Sequence, residues 1–241
     1  MSCSKNFENW VRWQNTVQSF FVPTEINDIL SQTLKNTIIS SPLTEQAFNK
    51  TSSPSKEILN LEELFKSMEK CQKCRLGATR TKLVFGEGNS KANLMFIGEG
   101  PGQEEDATGR PFVGKAGALL TKIIENGLKL PRKSVYIANI VKCRPPGNRD
   151  PLPDEAESCI DHLHRQIDLI KPSVIVLLGR VAAKYLINVE DSIAKARENH
   201  YQYKNIPVFI TYHPSALLRN EKFKRPVWED LKKVMKILEI D

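Results

Sequence analysis

The chain is most constrained by an alternation. Four short apolar runs, NLMFIG (93–98), VYIANI (135–140), SVIVLLG (173–179) and VFITY (208–212), are separated by helix-like stretches, KAGALLTKIIENGL (115–128), PDEAESCIDHLHRQIDLI (153–170) and RVAAKYLI (180–187). Apolar runs of this length read as strands, and strands alternating with helices imply a parallel sheet covered on both faces. Pro153 near the start of the second helical stretch and Pro172 beyond its end bracket it. The fold class expected is α/β. In open sheets of this kind ligands bind where loops converge at the carboxyl ends of strands. Those ends carry Gly98-Glu99-Gly100, Asn139, Gly179 and Tyr212-His213-Pro214. Four distant segments are therefore expected to share one pocket.

Residues 1–58 differ in texture from the rest. NFENWVRWQNTVQSFF reads as an amphipathic helix, and SSPLTEQAFNKTSSPSKE as a flexible Ser/Thr/Pro-rich linker. The expected division is an N-terminal extension, 1–58, and one domain, 59–241. The first ten residues lack the apolar stretch of a secretory signal, and VIVLL is too short to span a bilayer. A cytoplasmic protein without a membrane partner is expected. The net charge of +7 gathers at the C-terminal end, in Arg219, Lys222, Lys224, Arg225, Lys232, Lys233 and Lys236. Such a run reads either as a solvated basic helix or as a footprint for nucleic acid.

The loop IGEGPGQEED (97–106) follows a strand and is glycine-rich, the usual setting for phosphate. It carries four carboxylates and no lysine. A nucleotide-binding loop is disfavoured on that ground, and a neutral planar ligand met by backbone groups fits better. Phe112, between Pro111 and Val113 and flanked by Gly109 and Gly114, suits stacking on a base. Asn139 offers a donor and an acceptor on one amide, the pattern that reads a pyrimidine edge. His213 is placed to donate to a leaving group that gains negative charge. Taken singly, each has an ordinary alternative: a core Phe, a turn Asn, a structural His.

Cysteines are the more distinctive signal. Cys71 and Cys74 form a C-x-x-C pair, Cys143 follows after 68 intervening residues and Cys159 after 15 more. Cys3, near the terminus, is a bystander. The spacing leaves a tetrahedral zinc site and a four-cysteine iron–sulfur cluster both open.

CQKCRLGATRTKLVFGEGN, GEGPGQEEDATGRPFVGKAG, NIVKCRPPGNRDPLPDEAESC and TYHPSALLRN together resemble the family 4 uracil-DNA glycosylases. The resemblance runs from about residue 59 to the C-terminus. It implies a three-layer α/β/α fold with a central four-stranded parallel sheet, and a 4Fe–4S cluster on Cys71, Cys74, Cys143 and Cys159. It implies that uracil is flipped out of single- or double-stranded DNA, held by Gly98, Gly100, Phe112 and Asn139, and released with Glu99 and His213 as the catalytic groups. Leu217 would wedge into the duplex, with Arg219 and Lys222 on phosphates. Gly100 stands where the best-known family of the superfamily has its catalytic Asp, so Glu99 is favoured, with Glu105 and Asp106 open as alternatives or as supports for the loop. A monomer associated with the nucleoid is expected, its extension a candidate for recruiting a replication or repair partner. The competing reading is a non-catalytic iron–sulfur or zinc module that binds nucleic acid within a larger assembly.

Overall fold

The computed structural model describes residues 60–240, so the expectations for the N-terminal extension and its boundary lie outside the described residues. Chain order explains how the site is built. Helix α1 (Leu61–Met68) starts at Asn60, whose side chain accepts the Glu63 N–H at 2.9 Å. It delivers the chain to Cys71 and Cys74, which precede the short α2 (Leu76–Thr79). After β1 (Glu87–Gly88) and β2 (Leu94–Gly98) come α3 (Gln103–Thr108) and α4 (Lys115–Lys122), which continues as a π-turn over Ile123–Gly127. Strand β3 (Tyr136–Asn139) leads through a long loop to α5 (Pro153–Ile170). Then follow β4 (Val174–Leu178), α6 (Arg180–Ile187), α7 (Ile193–Ala196), β5 (Tyr201–Tyr203), β6 (Ile206–Thr211), α8 (Pro214–Arg219) and α9 (Lys224–Leu238).

The sheet has six strands in the order β1-β3-β2-β4-β6-β5. The four apolar runs form its parallel centre, with Gly98 paired to Asn139, Ile97 to Leu177 and Leu178 to Thr211. The expected count of four is corrected by two short antiparallel edges, β1 on β3 and β5 on β6. These edges are two and three residues long and incompletely buried, so they leave no apolar run to read.

Successive strand residues point to opposite faces, and the core divides accordingly. Met95, Ile97, Ile175 and Leu177 pack with Ala156, Leu163 and Ile167 of α5 and Ala182 and Leu186 of α6. Leu94, Phe96, Val174 and Val176 pack with Leu120 of α4 and Val227, Leu231 and Val234 of α9. Each fully buried Leu, Ile, Val or Phe contributes about 1.5–3 kcal/mol of transfer free energy. Three layers result, helices on either side of one sheet.

The end of β6 is locked by a buried ion pair. Arg197 Nε donates to Asp230 Oδ2 of α9 at 3.0 Å and its Nη2 lies 2.9 Å from Oδ1 and donates to the Pro226 carbonyl, while the Thr211 hydroxyl donates to Asp230 at 2.6 Å. Asp230 is 2% and Arg197 11% exposed as side chains. Removing one partner strands the other charge in the interior. Asp230→Ala is expected to lower unfolding free energy by about 3–5 kcal/mol in chemical denaturation, whereas Glu62→Ala, which breaks an exposed pair with Lys66, should leave the midpoint unchanged.

Candidate active site

A cavity of about 560 Å³ opens at the carboxyl ends of the four parallel strands. Its lining draws on all of them: Glu99, Gly100 and Gly102 after β2, Asn139 on β3, Gly179 and Arg180 after β4, and His213 and Ser215 after β6. The ladder runs past the strands, because Ile140 N–H donates to the Gly98 carbonyl and Val141 N–H to that of Glu99, at 3.0 and 3.1 Å. The backbone of Glu99 is thereby fixed.

One wall is Phe112, held at φ 52° and half-stacked on His213, with ring centroids 5.6 Å apart and planes 35° to each other. Two glycines let it lie there. A Cβ on Gly117 would sit 1.9 Å from the Phe112 carbonyl oxygen, and one on Gly98 would sit 2.6 Å from its ring and 2.5 Å from Asn139 Oδ1. Gly98 thus lies beneath these two side chains and is absent from the cavity lining, where Gly100 is present. Arg132 donates to the Pro111 carbonyl at 2.8 Å and to Thr121 Oγ1 at 2.7 Å, bracing the Phe112 backbone from behind.

The acidic residues of the glycine loop divide by role. Glu105 accepts the N–H groups of Val113 and Gly114 through Oε1, both at 2.9 Å, and that of Gly102 through Oε2 at 3.1 Å. The anion bound by these amides, one from the glycine loop and two from the loop that carries Phe112, is the protein's own carboxylate. Asp106 is buried and accepts the Thr81 N–H at 2.9 Å. Glu99 makes neither kind of tie and faces the cavity. Burial, and then the neighbouring Asp150 carboxylate, push it up to about 7, while the Arg180 guanidinium opposes the rise.

Asn139 is 2% exposed, and its Oδ1 has no hydrogen-bond partner within the protein. Buried acceptors are rarely left so; this one lies at the cavity wall. Its main-chain carbonyl accepts from Lys142 Nζ at 2.8 Å, and Lys142 is held in turn by Gln166 at 2.6 Å. His213 caps α8: its Nδ1 accepts the Ser215 N–H at 3.2 Å and lies 2.8 Å from Ser215 Oγ. An accepting Nδ1 leaves the proton of the neutral ring on Nε2. Burial and the Arg219 charge lower the ring to about 4, so the neutral form prevails near pH 7.

Leu217, expected as a wedge, is 3% exposed and packs in the core shared with α4 and α9, while Leu218 beside it is 52% exposed. Arg219 lines the cavity mouth, and Lys222 is exposed nearby.

Across α5 and the β3–α5 loop, Cys71, Cys74, Cys143 and Cys159 line one small cavity. Arg80 donates to Cys143 Sγ at 3.2 Å, and His162 Nε2 lies 3.8 Å from Cys71 Sγ. Burial pushes the Cys159 thiol up to about 11 and raises Cys143 as well. Among the described residues no three Cys, His or carboxylate donors converge on a single point as one metal ion requires.

Known proteins resolve what this pocket belongs to. The model of the uracil DNA glycosylase superfamily matches residues 85–232. The chain belongs to the uracil-DNA glycosylase superfamily. It is 49% identical over 188 residues to a type-4 uracil-DNA glycosylase of Saccharolobus solfataricus, covering 74% of this chain and 87% of the relative. A type-4 uracil-DNA glycosylase of Archaeoglobus fulgidus is 42% identical, over 73% of this chain and 92% of its own, and one of Thermotoga maritima 46%, over 72% and 92%. The glycosylase match covers every strand that lines the cavity. No helix among the described residues is long and apolar enough to cross a membrane.

The tautomer of His213 has a direct consequence. Its folded-state value lies below the ordinary 6.5, so its contribution to stability is complete above pH 6.5 and is lost as pH falls through about 4. Nitrogen NMR is expected to show the His213 imidazole, assigned by its disappearance in His213→Gln, neutral and Nε2-protonated from about pH 5.5 to 8; titration of that ring near 6.5 would contradict the assignment.

Proposed function

We propose that this chain is a uracil-DNA glycosylase, which takes uracil, the product of cytosine deamination, out of DNA and hydrolyses its N-glycosidic bond. The observation that carries this is the unpartnered, buried Oδ1 of Asn139 beside the Phe112 ring. Uracil has an N–H on the edge such an acceptor would meet, next to a carbonyl that the same amide's N–H can donate to. A nucleic-acid-binding module without catalysis has no use for that orphaned acceptor or for a desolvated carboxylate opposite it.

In this reading a flipped base stacks on Phe112 and meets Asn139 with its edge. Water attacks C1′ as the bond to N1 breaks, and the bonding electrons leave with the uracil. The Nε2–H of His213 donates to the carbonyl oxygen that gains charge. A neutral donor, unlike a cation, leaves the uracil as an anion rather than protonating it. Glu99 takes the proton of the attacking water and faces the sugar as it becomes cation-like. Gly100, where a Cβ would lie 2.7 Å from the Val141 side chain, lines the cavity with its backbone, and Gly98 acts through the two side chains resting on it. Leu218, exposed beside the cavity mouth, suits the wedge better than Leu217, with Arg219 and Lys222 on phosphates.

The four cysteines suit a 4Fe–4S cluster. They share one cavity and come from three segments, and four thiol donors are the set such a cluster would take. When bound, it supplies iron–thiolate bonds that tie the α1–α2 turn, the β3–α5 loop and α5 together. Arg80 and Lys142 provide positive charge beside thiolates that burial alone would keep protonated. The enzyme is assigned to the cytoplasm and nucleoid, acting as a monomer on single- or double-stranded DNA, its 1–58 extension a recruiting segment for a replication or repair partner.

A uracil-containing oligonucleotide, followed by alkaline cleavage, tests the activity. His213→Ala is expected to slow single-turnover excision about a hundredfold to a thousandfold, or about 3–4 kcal/mol of transition-state stabilisation, with DNA affinity nearly unchanged; a loss under about threefold would refute its role. Asn139→Ala should weaken binding to a non-cleavable uracil analogue as well. Elemental analysis should find iron and no zinc, and Cys71→Ser should lower thermal stability, which the loss of a cluster ligand explains.

A further inference from the structure

The loop that carries Cys143 ends beside the catalytic pocket. Arg149 clamps Glu155 at the start of α5 through both carboxylate oxygens, at 2.7 and 2.8 Å, and the next residue, Asp150, turns into the cavity opposite Glu99. There Asp150 accepts from Arg180, the first residue of α6, at 2.5 Å. Two carboxylates and a guanidinium thus line one pocket from three different segments. Neither Asp150 nor Arg180 has a role in the catalytic scheme above.

We infer that Asp150, held by Arg180, is the positioning partner of Glu99, setting the pH range over which that carboxylate can take the proton of the attacking water. The inference rests on the glycosylase reading. Asp150, whose side chain is 58% exposed, presents its carboxylate to a Glu99 carboxyl that is itself desolvated, and that neighbouring charge adds to burial in making Glu99 retain a proton that an isolated carboxylate would release. Arg180 limits the effect: it neutralises part of the Asp150 charge and draws on Glu99 directly. The balance leaves Glu99 a stronger base than a solvated carboxylate, and one that becomes ionised as pH rises through neutrality. Other charged groups around the cavity are already committed or remote from this corner. Glu105 is bound by three loop amides, Arg149 by Glu155, His213 is neutral, and Arg219 acts on His213.

The account gives opposite signs for two substitutions. Wild-type single-turnover excision should rise with pH through a midpoint near 7, where Glu99 loses its proton. Asp150→Asn removes the neighbouring charge and should move that midpoint down by about one pH unit. Arg180→Gln removes the opposing cation and should move it up. Glu99→Gln should abolish the limb altogether. Circular dichroism and the cluster's absorbance report whether each variant is folded, and either of the first two alone suffices for the test. Shifts in the stated directions support the pairing. Midpoints of folded variants that superimpose on the parent, or shift together in one direction, overturn it. A parent that releases no uracil at any pH would instead refute the glycosylase reading, so the two failures are distinguishable.

Discussion

The pocket depends on an atom that is missing. Gly98 ends the second strand under the Phe112 ring and the Asn139 amide, and a Cβ there would lie within 2.6 Å of both. Separations that short are far inside van der Waals contact, and a packed interior gives way only at a cost of several kcal/mol or by moving the side chains. The proposed stacking surface and the proposed acceptor for the base edge therefore share one backbone position. Around it the protein invests in rigidity. Gly117 admits the Phe112 carbonyl, Arg132 braces Pro111, and Lys142 holds the Asn139 main chain. Phe112 itself stays in a left-handed conformation that a residue with a Cβ adopts only when its surroundings insist.

Charge is arranged by the same logic. The amides of the glycine loop would attract a phosphate, but Glu105 already takes the Gly102 N–H, together with those of Val113 and Gly114 in the loop that carries Phe112. The phosphate-binding potential of the loop is spent internally, which leaves the cavity suited to a neutral base. Burial then acts in opposite senses on the two groups that face it. It keeps His213 neutral, so that the ring donates without giving up its proton, and it raises Glu99 toward neutrality, where a carboxylate becomes an effective base. The proposed reaction, which separates a cation-like sugar from an anionic base, needs both of these properties in one cavity.

Much of this was legible in the sequence. The four parallel strands were marked by unbroken apolar runs, and the long helix by its proline at Pro153 and its helical pattern through Ile170. The strand ends then gave Glu99, Asn139 and His213 as neighbours. What escaped was whatever depends on direction or on a distant partner. Leu217 and Leu218 are adjacent, and only the packing of α8 decides which faces the core. Glu105 and Asp106 stood open beside the favoured Glu99, as alternatives or as supports for the loop, because their amide partners at Thr81, Val113 and Gly114 lie outside the glycine loop. Asp150, Arg180, Arg132 and Lys142 belong to no periodic pattern, and their meaning comes from side chains far away in sequence. The edge strands β1 and β5 were too short and too exposed to leave a signal.

The measurement that tests this account most directly is single-turnover excision of uracil by the parent and by Gly98→Ala, side by side, with melting curves for both. The account predicts that the parent leaves alkali-labile abasic sites and that the variant, still folded, is slower by about a hundredfold or more, since both recognition groups are displaced together. A folded Gly98→Ala protein that releases uracil at the parental rate would contradict it.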